Sequence, residues 1–275
     1  MTTRGRILAA AVLAAILFRP QAAFGDETDN FTCRDRPLAD AQAAVDAWVN
    51  ARIADAIGRA NARGGACDAA CLFQQLERRV GASVPHPVTW IPHARLTRWI
   101  GDRPDIDRCR LKFRDSIYGA RPYNQPWLWP FTGRIILLAD SVRLSGRVIG
   151  LDKINHFVRE GLAHWHAVNR DRRDIAVVFG RELGASRAWF RFTEHGLKGR
   201  SLTGVVAYAD LAASYSGFTF WSDLLSVGRP ESYVGYDSAT QRHAQTRVFT
   251  FADYVNDAWD EAINCSAFAP IPASS

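Results

Sequence analysis

Four ionisable side chains recur at four-residue intervals, Asp152, His156, Glu160 and His164, and the positions among them are largely apolar. At that spacing, neighbours stack along one face of an α-helix with a drift of about 40° per step. Leu151, Ile154, Phe157, Val158 and Leu162 take the side that faces a core. A chain carrying such a helix must build a core against it and house the polar row at the border of that core. Asp152 and His156 are therefore expected to be half-buried, a setting that perturbs titration.

Helical spacing recurs elsewhere. Residues 38–61 place Ala43, Val45, Trp48, Val49, Ile53 and Ile57 on one face, and Arg63-Gly64-Gly65 ends the pattern. Residues 68–80 form a shorter amphipathic helix, and further helices are expected over 151–169, 172–192, 204–227 and 251–264. Between them the texture is extended: residues 135–138 and 142–144, separated by Ala139-Asp140-Ser141, read as a hairpin, and residues 123–130 form an aromatic, proline-rich loop with Trp127 and Trp129. The fold expected is mainly α, a helical bundle with a small β-hairpin region in the middle of the chain. Residues 26–275 form one domain, with extended structure and the aromatic loop over 110–150 and the helical core over 150–265.

Residues 1–25 read as a secretory signal peptide, with Arg4 and Arg6 before an apolar run and Ala23-Phe24-Gly25 before Asp26. The run is too short for a spanning helix, and charges interrupt each of the later helices, so the domain is expected to be soluble. Cleavage removes three arginines and no acid, lowering the formal charge from +6 to +3. That mild excess is scattered among acids and argues against nucleic acid as a partner. All five cysteines lie beyond the signal, and an oxidising compartment permits two disulfides with one thiol over. Their pairing is open, although Cys67 and Cys71, four apart on the expected helix, suit other segments better than each other. No second cysteine pair at matching spacing supports zinc.

Asp210 lies in a helix otherwise filled by Val, Ala, Leu, Tyr and Phe, so its charge needs a partner such as Lys153, Arg187 or His156. Ala209, Ala213 and Gly217, four apart, let another helix pack close. Asp152 can hold the His156 imidazole in one tautomer while Glu160 accepts a proton beside it. The same groups can equally be an ion network that sets helix register. Gly-x-Ser-x-Gly, phosphate-loop and His-Glu-x-x-His signatures are absent. Ser201 and Ser214 lack the turn that a hydrolase nucleophile uses. At the C-terminal end, Phe251, Tyr254, Val255, Ala258, Trp259 and Ile263 form the packing edge of an expected closing helix, with Asp260-Glu261 on its solvated side.

Asp152-Lys153-x-x-His156-Phe157, then Gly184-Ala-Ser-Arg187, then Gly199-Arg200-Ser201 followed by Asp210 and Gly217, resembles the VanZ-like group with its YfiM-like envelope lipoproteins. The likeness spans residues 150–221. Arg187 stands where that group has Lys, Ala188 where it has Glu, and Ser214 where many members have Asn. The resemblance implies an envelope location and supplies no settled chemistry.

The function expected is that of a periplasmic or secreted envelope protein. Asp152, His156, Glu160 and Asp210 are its candidate acid–base residues, or metal-assisted ones without an assigned ligand set, for hydrolysis of an envelope glycan, peptide or lipid. Lys153, Trp127, Trp129, Glu194, Arg200 and Tyr208 are candidates for substrate contact, and the cofactor is unknown. The rival reading is a non-catalytic scaffold or binding protein with the cluster as architecture. Peripheral membrane contact would require Trp127, Trp129 and Trp221 to be exposed together.

Overall fold

A computed structural model of the chain describes residues 26–64, 67–85, 92–118, 137–182, 205–225, 232–264 and 266–268. The expected signal peptide, the aromatic loop and the glycine-serine motifs at 184–201 lie outside these residues.

The fold is mainly α, with about half of the described residues helical. Helix α1 (Gln42–Asn61) buries Val45, Val49, Ile53 and Ile57 as its spacing requires, and α2 (Ala69–Arg79) buries Leu72 and Leu76 against it. Helix α3 is Arg95–Asp102. A continuous helical run, α4, follows as Leu151–Asn155, His156–Glu160, Gly161–Trp165 and His166–Arg170, of which the second and fourth segments are π turns. The extra residue per turn re-phases the four-residue row, so its members do not form one straight stripe. Helix α5 is Ile175–Glu182 and α6 is Tyr208–Leu225.

Among the described residues, five two-stranded pairs lie between these helices. β1 (Asp26–Thr28) runs parallel to β4 (Leu137–Ala139), and β2 (Ser83–Pro85) pairs with β3 (Pro92–Ala94). β5 (Ser141–Leu144) and β6 (Arg147–Gly150) form the central hairpin, β7 (Val205–Val206) pairs with β10 (Ala267–Phe268), and β8 (Val234–Asp237) pairs with β9 (Arg242–Gln245). The hairpin sits one strand later than expected. Its two-residue turn is Ser145-Gly146, with φ of 54° and 78°, the left-handed pair that suits the twist of joined strands. Ala139-Asp140-Ser141 instead hands the chain from one strand pairing to another.

The C-terminal stretch is not the expected single helix. It folds as two 3-10 turns, Phe251–Asp253 and Asp257–Trp259, because Thr250 and Asn256 cap new turns with their own side chains. Phe251, Tyr254, Val255 and Trp259 are still buried, whereas Ile263 is exposed. Phe157 of α4 is the hub: the rings of Phe220, Phe251, Tyr254 and Trp259 lie 5.1–5.5 Å from its own. Trp221 is wholly buried and donates its indole N–H to the Val158 carbonyl at 2.9 Å, so the exposed tryptophan face that a membrane contact would require does not include it.

Two disulfides close, Cys33–Cys109 and Cys67–Cys71. The second corrects the expectation that these cysteines bond elsewhere. Cys67 precedes the helix, whose cap is Asp68, and this brings the two Cα atoms to 5.1 Å. Cys265 lies outside the described residues. No described helix is long and apolar enough to cross a membrane.

Candidate functional site

Gly150 opens the site. A Cβ there would fall 2.0 Å from Thr28 Oγ1 and 2.1 Å from Asp152 Oδ1, so only glycine lets β1 approach the first turn of α4. The Thr28 hydroxyl donates to Asp152 Oδ1 at 2.5 Å, and the Lys153 main-chain N–H donates to the same oxygen at 2.8 Å. A carboxylate in the first turn of a helix also meets the positive end of its dipole.

Lys153 is the centre of the cluster. Its Nζ lies 2.6 Å from Asp152 Oδ2, 2.6 Å from Asp210 Oδ1 and in contact with Glu261 Oε1. Lys153 and Glu261 have no exposed side-chain surface, and Asp152 and Asp210 retain 3% and 5% of theirs. The Asp152 and Glu261 contacts are directed hydrogen bonds, while the one to Asp210 is an ion-pair contact without that alignment. Tyr118 donates its hydroxyl to Glu261 Oε2 at 3.2 Å, and Glu27, also buried, adds its charge from β1.

Charge counting explains the titration. Burial favours the neutral carboxyl, pushing Asp152 upward and Glu261 up to about 7 against the opposing pull of Lys153. Burial likewise works against the Lys153 ammonium, but Asp152, Asp210, Glu261 and Glu27 together outweigh it and hold the lysine well above its ordinary value. Burial, followed by the Glu261 charge, raises Tyr118. One ammonium thus faces more carboxylates than it can neutralise, and Glu261 is a group that holds the balancing proton near neutrality.

His156 joins the network from the next turn. Its Nε2 lies 3.4 Å from Asp210 Oδ2 and its Nδ1 3.2 Å from Ser214 Oγ. Asp210 and Ser214 are four apart on α6, so the imidazole spans one turn of that helix. Two glycines permit the approach: a Cβ on Gly161 would meet Gly217 backbone at 2.5 Å, and one on Gly217 would meet the Phe157 carbonyl oxygen at 2.0 Å.

Of the acid–base candidates, Asp152, His156 and Asp210 come together, while half-buried Glu160 is not among the three carboxylates around Lys153. Lys153, expected to contact substrate, is enclosed instead. Tyr208 lies at the start of α6, and His164 packs against the Phe179 ring. Trp127, Trp129, Glu194, Arg200 and Arg187 lie outside the described residues. Asp210 has two of its three expected partners, Lys153 and His156. Glu261, expected to be solvated, is wholly buried because the C-terminal turns fold it inward onto Lys153.

Asp152, Asp210 and Glu261 each present an oxygen within 4.8 Å of the others, close enough to ligate a cation. The Lys153 ammonium already contacts all three and serves as their cation. Asp152 also forms part of the wall of a cleft of about 240 Å³ shared with His93, Thr97, Arg98, Asp102 and Asn155. Asn155 Oδ1 accepts from Ala94 N at 2.9 Å, which joins β3 to α4 along this wall. Comparison with protein-family models, curated proteins and solved structures yields no match.

Proposed function

We propose that this chain is an exported binding protein of the cell envelope, in which the Lys153 network holds a helical bundle together and the cleft beside Asp152 receives the ligand. The observation that carries this reading is the complete enclosure of Lys153 among Asp152, Asp210 and Glu261. A lysine with no exposed side-chain surface, closed in by three carboxylates, is out of reach of a substrate. Export is supported by the signal-like residues 1–25 and by the two disulfides. The VanZ-like motif at Asp152-Lys153-x-x-His156-Phe157 supports an envelope location.

A hydrolase is the second reading, favoured by one observation: His156 stands between Ser214 and Asp210, the order of a nucleophile, base and orienting acid. Ser214 itself is wholly buried, which weighs against it as an attacking group.

One experiment separates the two. The mature chain is incubated with isolated envelopes, and bound and released components are read by mass spectrometry. Wild type is compared with His156→Ala, Asp210→Asn and the cleft variant Thr97→Trp, each retaining its folded circular dichroism. A component retained by wild type and lost only in Thr97→Trp, with no released product, supports binding. A released product that disappears in His156→Ala and Asp210→Asn overturns it in favour of hydrolysis.

A further inference from the structure

The two disulfides are built differently. Cys33 and Cys109 are each 1% exposed and join positions 76 apart. Cys109 also exchanges main-chain hydrogen bonds with Ser141 at 2.8 and 3.0 Å, so opening this bond means disturbing the edge of the central hairpin. Cys67 and Cys71 are only 4 apart. Cys67 is 4% exposed, whereas Cys71, at the first turn of α2, is only half-buried.

The surroundings of the second pair suit an exchange reaction. Arg63 Nη1 lies 3.8 Å from Cys71 Sγ, and the sulfur stands at a helix N-terminus, two features that stabilise a thiolate. The Asp68 carboxylate opposes them in part, since it caps the helix and takes the Cys71 main-chain N–H at 2.9 Å. Behind the pair, His243 Nε2 lies 3.1 Å from the Cys67 carbonyl oxygen, and Asn61 holds the His243 main chain in both directions at 2.8 Å. These contacts hold Cys67 in place whether or not the sulfurs are joined. Leu72 and Leu76 anchor α2 independently.

We propose that Cys67–Cys71 is a thiol–disulfide exchange site, entered at Cys71 by the thiolate of a partner thiol. The incoming sulfur bonds to Cys71 Sγ; the Cys67–Cys71 bond breaks, and its electron pair leaves on Cys67 Sγ, which takes a proton. A second partner thiolate then attacks the partner sulfur of this mixed disulfide, and Cys71 leaves as a thiolate. The partner thiols are oxidised to a disulfide, and the Cys67–Cys71 pair is reduced to a dithiol by the same two electrons. Access decides the direction of entry, because Cys71 is the more exposed of the two cysteines.

The test is a titration of the folded full mature chain with reduced and oxidised glutathione, read by differential alkylation and mass spectrometry. Cys67–Cys71 is expected to open at a glutathione concentration at least about tenfold below that which opens Cys33–Cys109, with circular dichroism unchanged. In a Cys265→Ser background, Cys67→Ser is expected to trap an adduct at Cys71, while Cys71→Ser traps none at Cys67. Glutathione and a single-cysteine peptide, each supplied as a mixture of its thiol and its symmetrical disulfide, are run as separate arms: an adduct from the peptide alone identifies a protein thiol as the partner, and one from glutathione alone a small thiol. Opening of both disulfides together, or no adduct at Cys71 from either probe, overturns the proposal. Neither outcome bears on ligand binding at the Asp152 cleft.

Discussion

Gly217 crosses α4 so closely at Phe157 that a Cβ on it would lie 2.0 Å from the Phe157 carbonyl oxygen. A main-chain oxygen cannot swing aside as a side chain can, so Gly217→Ala must push the two helices apart. Overpacking of this kind costs about 1–3 kcal/mol or more. It also carries Asp210 and Ser214 away from His156, which shares their contact across the same crossing. Gly58→Ala is the control: a Cβ there meets nothing within 4 Å, and in the last turn of α1 it should add up to about 0.5–1 kcal/mol. Urea unfolding of the two variants checks the contrast, and similar midpoints for both would count against the tight crossing.

Glu261 sets an unusual dependence on pH. Its folded value, about 7, is above the ordinary 4.5, so between those limits the folded chain holds a proton that the unfolded chain has released. Stability from this group is present below about pH 4.5 and is lost as pH rises through 7. At about 1.36 kcal/mol per unit the change is on the order of 3 kcal/mol, shared with Asp152, which moves in the same direction. Glu261→Gln mimics the protonated acid. It is expected to match wild type near pH 5 and to exceed it near pH 7.5, as measured by chemical denaturation at each pH. Parallel curves for the two proteins would refute the shift.

Periodicity made α1, α2, α4 and α6 legible, because each buries an apolar face whose spacing is local. The demand that Asp210 find Lys153 or His156 was legible for a related reason: a charge in an apolar helix needs a partner wherever the chain supplies one. Glu261 and Tyr118 were not. Their part in the site depends on turns 108 residues beyond Lys153 and on a segment 35 residues before it, and nothing in the local pattern around Trp259-Asp260-Glu261 separates an inward acid from a solvated one. The π turns of α4 and the Ser145-Gly146 hairpin were hidden in another way. The π turns arise from one-residue insertions that hydrophobic spacing tolerates; the hairpin lies one strand later than the apolar runs suggest, and only the left-handed preference of the Ser-Gly pair offered a signal for it.

The disulfides should contribute unequally to stability. In the chain-entropy account, closing positions 76 apart restricts the unfolded chain by about 4–5 kcal/mol, and closing positions 4 apart by about 2 kcal/mol. Cys33→Ala/Cys109→Ala is therefore expected to lower the unfolding free energy by at least about twice as much as Cys67→Ala/Cys71→Ala. Denaturant curves of the two double variants decide this, and a larger loss from the short-range pair would reverse the assignment of Cys33–Cys109 as the main covalent brace.

Lys153 tests whether the network is architecture. Lys153→Met removes the one cation that Asp152, Asp210 and Glu261 share, and leaving buried carboxylates uncompensated costs about 3–5 kcal/mol. Without the ammonium Asp152 and Glu261 titrate higher in the folded chain than they do in wild type, so the variant recovers as pH falls and they take up protons, and weakens as pH rises through their folded values. Neutralising the partners as well, in Lys153→Met/Asp210→Asn/Glu261→Gln, should restore most of the loss at pH 7.5. Asp152 keeps its bonds from the Thr28 hydroxyl and the residue-153 main-chain N–H in that variant, and matched neutral groups can replace a buried ion network at little cost. A triple variant that folds and still retains its envelope component would place the network in the architecture; one that folds and loses it would show that the charges reach the ligand through Asp152.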